Sequence, residues 1–112
     1  MDTKRPFVIE LNDAQEYQRL LPGAPATYGM KSGRVYLKPG AECGEHSTKG
    51  SEEQLVFLEG EGTAIIADKT MQVGKGMVVY IPPETVHNIK NTGSVPLVYI
   101  FCVAPAGQEN TE

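Results

Sequence analysis

The sequence predicts an all-β fold, an antiparallel sandwich or barrel with one short helix near its N-terminus. From Val35 onward, short stretches rich in Val, Ile, Leu, Phe and Tyr alternate with turn residues, and no run after Gly33 is long enough for a helix. The 12 Gly and 8 Pro are spread along the chain, which marks many tight connections rather than disorder. At 112 residues the chain has room for one domain and a single core.

In chain order, Pro6 to Leu11 reads as an edge strand. Asn12 is placed to cap a helix with Gln15 three residues on, and Ala14, Tyr17, Leu20 and Leu21 continue it until Pro22-Gly23 ends it. Residues 23–33 read as a loop. Strands are expected at Arg34 to Lys38, Gln54 to Glu59, Thr63 to Ala67, Met71 to Val73, Val78 to Ile81, His87 to Lys90 and Val98 to Val103. Turns are expected at Pro39-Gly40, Gly60-Glu61-Gly62, Asp68-Lys69, Gly74-Lys75-Gly76, Pro82-Pro83 and Asn91-Thr92-Gly93. This divides the chain into an N-terminal extension (1–33) packed on a barrel (34–104) and a mobile tail (105–112) with little to bury.

The charge balance excludes some functions. A net charge of −4 with ten scattered basic residues does not make a phosphate-binding surface, so no nucleic-acid partner is expected. No apolar run, Met77 to Ile81 included, is long enough to span a bilayer, and the first residues carry no apolar leader, so the expectation is a soluble, cytoplasmic protein with no membrane partner. Cys43 and Cys102 then read as free thiols, the first a plain one and the second in the core of the last strand. The paired glycines at 60, 62, 74 and 76 flank hairpins instead of opening a helix, which makes them turn residues and not a phosphate cradle.

The chain has two histidines, His46 and His87. Strand alternation puts His46 and Thr48 on one face with Ser47 turned away, and puts Cys43 on the opposite parity. Glu53, Leu55 and Phe57 share a face, as do His87 and Ile89, leaving Asn88 and Lys90 on the solvated side. Each ionisable group therefore heads an otherwise apolar strand face. Such a group needs a partner, and a cation shared by two imidazoles and a carboxylate would supply one.

These stretches resemble the two motifs of the cupin superfamily. The first motif runs Gly, five residues, His-x-His, three or four residues, Glu, six residues, Gly; here Gly40, His46-Ser47-Thr48, Glu53 and Gly60 stand at those spacings. The second runs Gly, five residues, Pro-x-Gly, two residues, His, three residues, Asn; here the matching positions are Gly76, Pro82-Pro83-Glu84, His87 and Asn91. The chain departs from the pattern twice. Thr48 replaces the second histidine of the first motif, and Glu84 replaces the glycine of the second, a change confined to a turn.

The resemblance implies a cupin jelly-roll β-barrel with a mononuclear divalent-metal site (Fe, Mn, Ni or Zn) held by His46, Glu53 and His87. Thr48 beside them would be a weak ligand, a group that orients substrate or metal-bound water, or a bystander. The implied function is a small metalloprotein that binds a small polar molecule, with oxygenase- or isomerase-type chemistry as one outcome. The alternative is a non-catalytic ligand-binding or sensing module whose metal is structural or absent. Val56 and Leu58 fall on the outer face of their strand, and single-domain members of the family commonly pair through such strands, so a homodimer is expected.

Overall fold

The computed structural model describes residues 3–107, which form nine strands in two sheets. In chain order the strands are β1 (Gln18–Pro22), β2 (Lys31–Leu37), β3 (His46–Ser47), β4 (Ser51–Glu59), β5 (Glu61–Ile66), β6 (Lys69–Gly74), β7 (Val78–Ile81), β8 (Val86–Lys90) and β9 (Leu97–Pro105). The larger sheet has the order β1-β2-β9-β4-β7 and the smaller β3-β8-β5-β6; all pairings are antiparallel. Every strand expected after Gly33 is present, most of them a residue or more longer than the apolar run that announced it.

Alternation explains how the sheets face each other. Along β4, Glu53, Leu55 and Phe57 are buried while Glu52, Gln54 and Glu59 are exposed. Leu55, Phe57, Ile81, Leu97 and Tyr99 from the larger sheet meet Ala64, Ile66, Val73 and Ile89 from the smaller one, and together they form the core. Burying a side chain of this size stabilises the fold by about 1.5–3 kcal/mol each. Gly60, which closes the first motif, turns the chain from β4 into β5 at φ +78°, and a Cβ there would run into the Pro96 carbonyl.

The N-terminal third departs from the expectation. No helix occurs among the described residues, and Leu20 and Leu21, assigned above to a helix, lie in β1, which pairs with β2. Side-chain hydrogen bonds explain why. Asn12 Oδ1 accepts from Ala14 N–H (3.0 Å), an Asx turn instead of a helix cap. Gln18 clasps the segment, accepting from Asn12 N–H (2.9 Å) and donating to Glu10 O (2.9 Å). Arg34 donates to the carbonyls of Ala14 (3.0 Å) and Glu16 (3.4 Å), which a helix would have used internally. The edge strand expected at Pro6 to Leu11 is absent as well; those residues are exposed and unpaired in either sheet.

Three further expectations are corrected. Asn88 is buried, not solvated: its Oδ1 accepts from Gly44 N–H (2.9 Å) and its Nδ2 donates to Glu42 Oε1 (2.9 Å), so it ties residues 42–44 to β8. Cys102 is half-buried on the outer face of the larger sheet, one position out of phase with Tyr99, Phe101 and Val103, and is not a core residue. Pro105 belongs to β9 and Ala106 N–H bonds to Gly50 O (3.0 Å), so the sheet runs past the start assigned to the tail. The mobile stretch expected there otherwise falls at 108–112, outside the described residues. No helix of the described chain is long and apolar enough to cross a membrane.

Candidate metal centre

The antiparallel pairing of β3 with β8 sets His46 directly opposite His87. Their rings meet edge to face with centroids 4.2 Å apart. Glu53 reaches the same point from β4 in the larger sheet. Potential ligand atoms of His46, Glu53 and His87 all lie within 4.8 Å of one another. Glu53 and His87 are buried and His46 is exposed, so the cluster opens to solvent on the His46 side.

Both imidazoles are held in the same way. His46 Nδ1 lies 2.8 Å from Gly44 O, and His87 Nδ1 lies 3.1 Å from Thr85 O. A carbonyl can only accept, so each Nδ1 donates to it and each ring turns its Nε2 toward the cluster. This is the orientation that a metal-binding histidine needs. His87 Nε2 is buried and makes no hydrogen bond, although Glu53 Oε1 is only 3.3 Å away. Close contact with the Glu53 carboxylate raises the His87 pKa above its usual 6.5; burial opposes this, and the Thr85 carbonyl supports it. Two imidazole nitrogens and a carboxylate, with one of the nitrogens buried and lacking a hydrogen bond, form a donor set that suits a divalent cation.

Thr48, at the position of the missing histidine, is buried with its hydroxyl occupied twice. Oγ1 donates to Pro82 O (2.7 Å) and accepts from Thr85 N–H (3.1 Å). The backbone pairs the same two turns: Thr48 N–H bonds to Thr85 O (3.1 Å) and Glu84 N–H to Lys49 O (2.8 Å). Glu84 stands at φ +55°, so the backbone keeps the left-handed turn of the motif glycine with a residue that pays about 1–2 kcal/mol for it.

A cavity of about 210 Å³ lies against the cluster. Its wall is mainly apolar, with Leu55, Ile89, Phe101 and Val103, and it includes two groups that sequence reasoning missed, Cys43 and Tyr99. Cys43 escaped because Gly44, at φ +101°, breaks the extended run on which the parity count to His46 relied. Its Sγ accepts from Ile89 N–H (3.3 Å) and contacts Asn88 Oδ1 (3.4 Å). Tyr99 was legible from alternation with Phe101 and Val103 along β9. Burial, with the Cys43 sulfur alongside, pushes its hydroxyl well above its usual pKa. Ser47, expected to face away, borders the cavity with its Oγ turned back to Lys49 N–H (3.0 Å).

Residues 33–103 match the family model of the Cupin domain. An uncharacterized protein of Methanocaldococcus jannaschii is 41% identical over 68 residues, which cover 60% of this chain and 54% of that protein, so the chain spans about half the length of this relative. A solved structure from Bacillus halodurans superimposes with a TM-score of 0.79 at 21% identity, covering 96% of this chain and 87% of the other. A Cupin 2 conserved barrel domain protein from Salinispora arenicola gives 0.74 at 20% identity, with 91% and 92% covered. At these identities the structural likenesses speak to fold, and the family model speaks to descent: the chain belongs to the cupin family.

Proposed function

We propose that this cupin holds one divalent cation through His46 Nε2, the Glu53 carboxylate and His87 Nε2, and uses it to bind a small molecule in the adjoining cavity. One observation carries the reading: His87 Nε2 is buried, turned toward the cluster by the Nδ1 bond to the Thr85 carbonyl, and without a hydrogen-bond partner. Leaving such a group unsatisfied costs about 1–3 kcal/mol, which a bound cation would recover. A divalent cation there would supply a Lewis acid for an oxygen atom of the ligand. The chain's own residues do the rest. The Gly44 and Thr85 carbonyls fix the imidazole tautomers, Glu53 supplies negative charge, and the apolar wall keeps bulk water from the inner side of the cavity. Thr48 acts in this reading as a positioning residue that locks the two motif turns together.

Two free thiols, Cys43 beside β8 and Cys102 in β9, are compatible with a reducing, cytoplasmic setting. We also retain a homodimer through the outer face of the larger sheet. There Val78 (61% exposed) and Tyr80 (59%) extend the half-buried row begun by Val56 and Leu58. Sedimentation should give a dimer that Val56→Lys turns into monomer; a monomeric wild type at high concentration would remove this part of the reading. For the metal reading the test is stoichiometry: wild type should take up about one zinc or manganese ion per chain and His87→Ala none. Equal uptake by both would put the site elsewhere.

A further inference from the structure

We infer that the cavity is built for a small monocarboxylate with an apolar body, and not for a dianion or a phosphorylated sugar. The inference rests on the metal reading above and adds the class of ligand. A divalent cation, the Glu53 carboxylate and two neutral imidazoles leave one positive charge at the cluster. One carboxylate neutralises it.

A second anionic group would find no counter-charge. No lysine or arginine is among the described residues that line the cavity. Of the basic residues adjacent in sequence to lining positions, Arg34 points to the N-terminal segment and bonds the carbonyls of Ala14 and Glu16, Lys90 faces Glu42 at 4.0 Å, and Lys49 is exposed and not among the residues that line the cavity. An extra charge would therefore be desolvated against Leu55, Ile89 and Phe101 without a partner. The other polar residues that line the cavity, Cys43, Ser47, Thr48 and Tyr99, bring hydrogen-bonding groups but no cationic side chain. At about 210 Å³ the space falls below the roughly 300–1,000 Å³ of sites for drug-sized ligands, which limits the body to a few carbons.

The placement of the two cysteines provides the readout. Cys43 forms part of the cavity wall and Cys102 lies on the outer face of its sheet, so a ligand in the cavity covers one thiol and not the other.

Zinc-loaded protein is titrated by calorimetry with acetate, propionate, butyrate, succinate and inorganic phosphate. N-ethylmaleimide labelling of each cysteine is followed by peptide mass mapping. Affinity should rise about fourfold per methylene from acetate to butyrate. Succinate, which has a carboxylate in place of butyrate's terminal methyl, should bind at least about tenfold more weakly than butyrate. Saturating butyrate should slow labelling of Cys43 and leave Cys102 unchanged. Val35→Arg, which adds a cation to the cavity wall, should narrow or reverse the preference over succinate; if that variant does not fold, the wild-type comparison decides alone. Succinate or phosphate binding as tightly as butyrate, no gain with chain length, or an unprotected Cys43 would each overturn the inference while leaving the metal reading intact. Failure to take up zinc would overturn both.

Discussion

Replacing Thr48 with Val keeps the shape of the side chain and removes only the hydroxyl. That hydroxyl donates to Pro82 O at 2.7 Å and accepts from Thr85 N–H at 3.1 Å, and the residue is 8% exposed. Both partners would be left in a buried turn without replacement, at about 1–1.5 kcal/mol each, or roughly 2–3 kcal/mol together. For a domain of about 100 residues each kcal/mol shifts the melting temperature by roughly 4–8 °C, so the metal-free variant should melt at least about 8 °C below wild type. Thr48→Ser keeps both bonds and loses one methyl group, about 0.8 kcal/mol, and should fall only a few degrees. Thermal unfolding followed by circular dichroism in excess chelator measures the pair. A metal-free Thr48→Val that melts within about 2 °C of wild type would refute the positioning role. The same bonds bear on the missing histidine. Thr48→His must break both bonds in a buried site, so it is expected to destabilise the fold rather than simply add a fourth ligand.

Other outcomes follow from the same structure. Asn91 Nδ2 donates to Leu37 O and Val95 O (2.9 Å each) and Oδ1 accepts from Gly93 N–H (2.9 Å), so Asn91→Ala should cost about 2–4 kcal/mol in chemical denaturation without changing metal stoichiometry; a loss under about 1 kcal/mol would count against this network. Tyr99 has its pKa raised by burial and by Cys43, so its contribution to stability is full below its unfolded pKa of about 10 and is lost only as pH rises past that value. Tyr99→Phe should therefore flatten the alkaline loss of stability and remove the latest-titrating tyrosine from the absorbance curve; an unchanged alkaline limb would contradict the assignment. At Glu84, glycine would relieve the φ of +55° while gaining freedom in the unfolded chain, so Glu84→Gly should change stability by no more than about 1 kcal/mol in either direction; a larger loss would show a side-chain role that the turn argument omits.

The barrel and the three-residue cluster were readable for a physical reason. Once Leu55 and Phe57 must face the core, the two-residue period of a strand forces Glu53 to the same side, and Ile89 fixes His87 in the same manner. The first third was less readable because its conformation is decided by long-range partners. Nothing local in residues 12–21 reveals that Arg34 will take the carbonyls of Ala14 and Glu16, or that Leu20 and Leu21 will extend a sheet begun by β2. Cys43 and Asn88 failed for a related reason. The parity rule holds only along unbroken extended chain, and the φ of +101° at Gly44 and the side-chain tether from Asn88 to residues 42–44 are properties of the folded pair of segments.

The central claim is that His46, Glu53 and His87 hold a cation, and the most direct test is metal content joined to stability. Protein produced without an affinity tag is dialysed against zinc or manganese, analysed by plasma mass spectrometry, and melted before and after exhaustive chelation, alongside His87→Ala. The account predicts about one ion per chain in wild type and none in the variant. At free metal a hundred times the dissociation constant, binding adds about 2.7 kcal/mol to wild type alone, a shift of about 10–20 °C that chelation removes. No stoichiometric metal in wild type, or the same metal content and melting curve in His87→Ala, would contradict it.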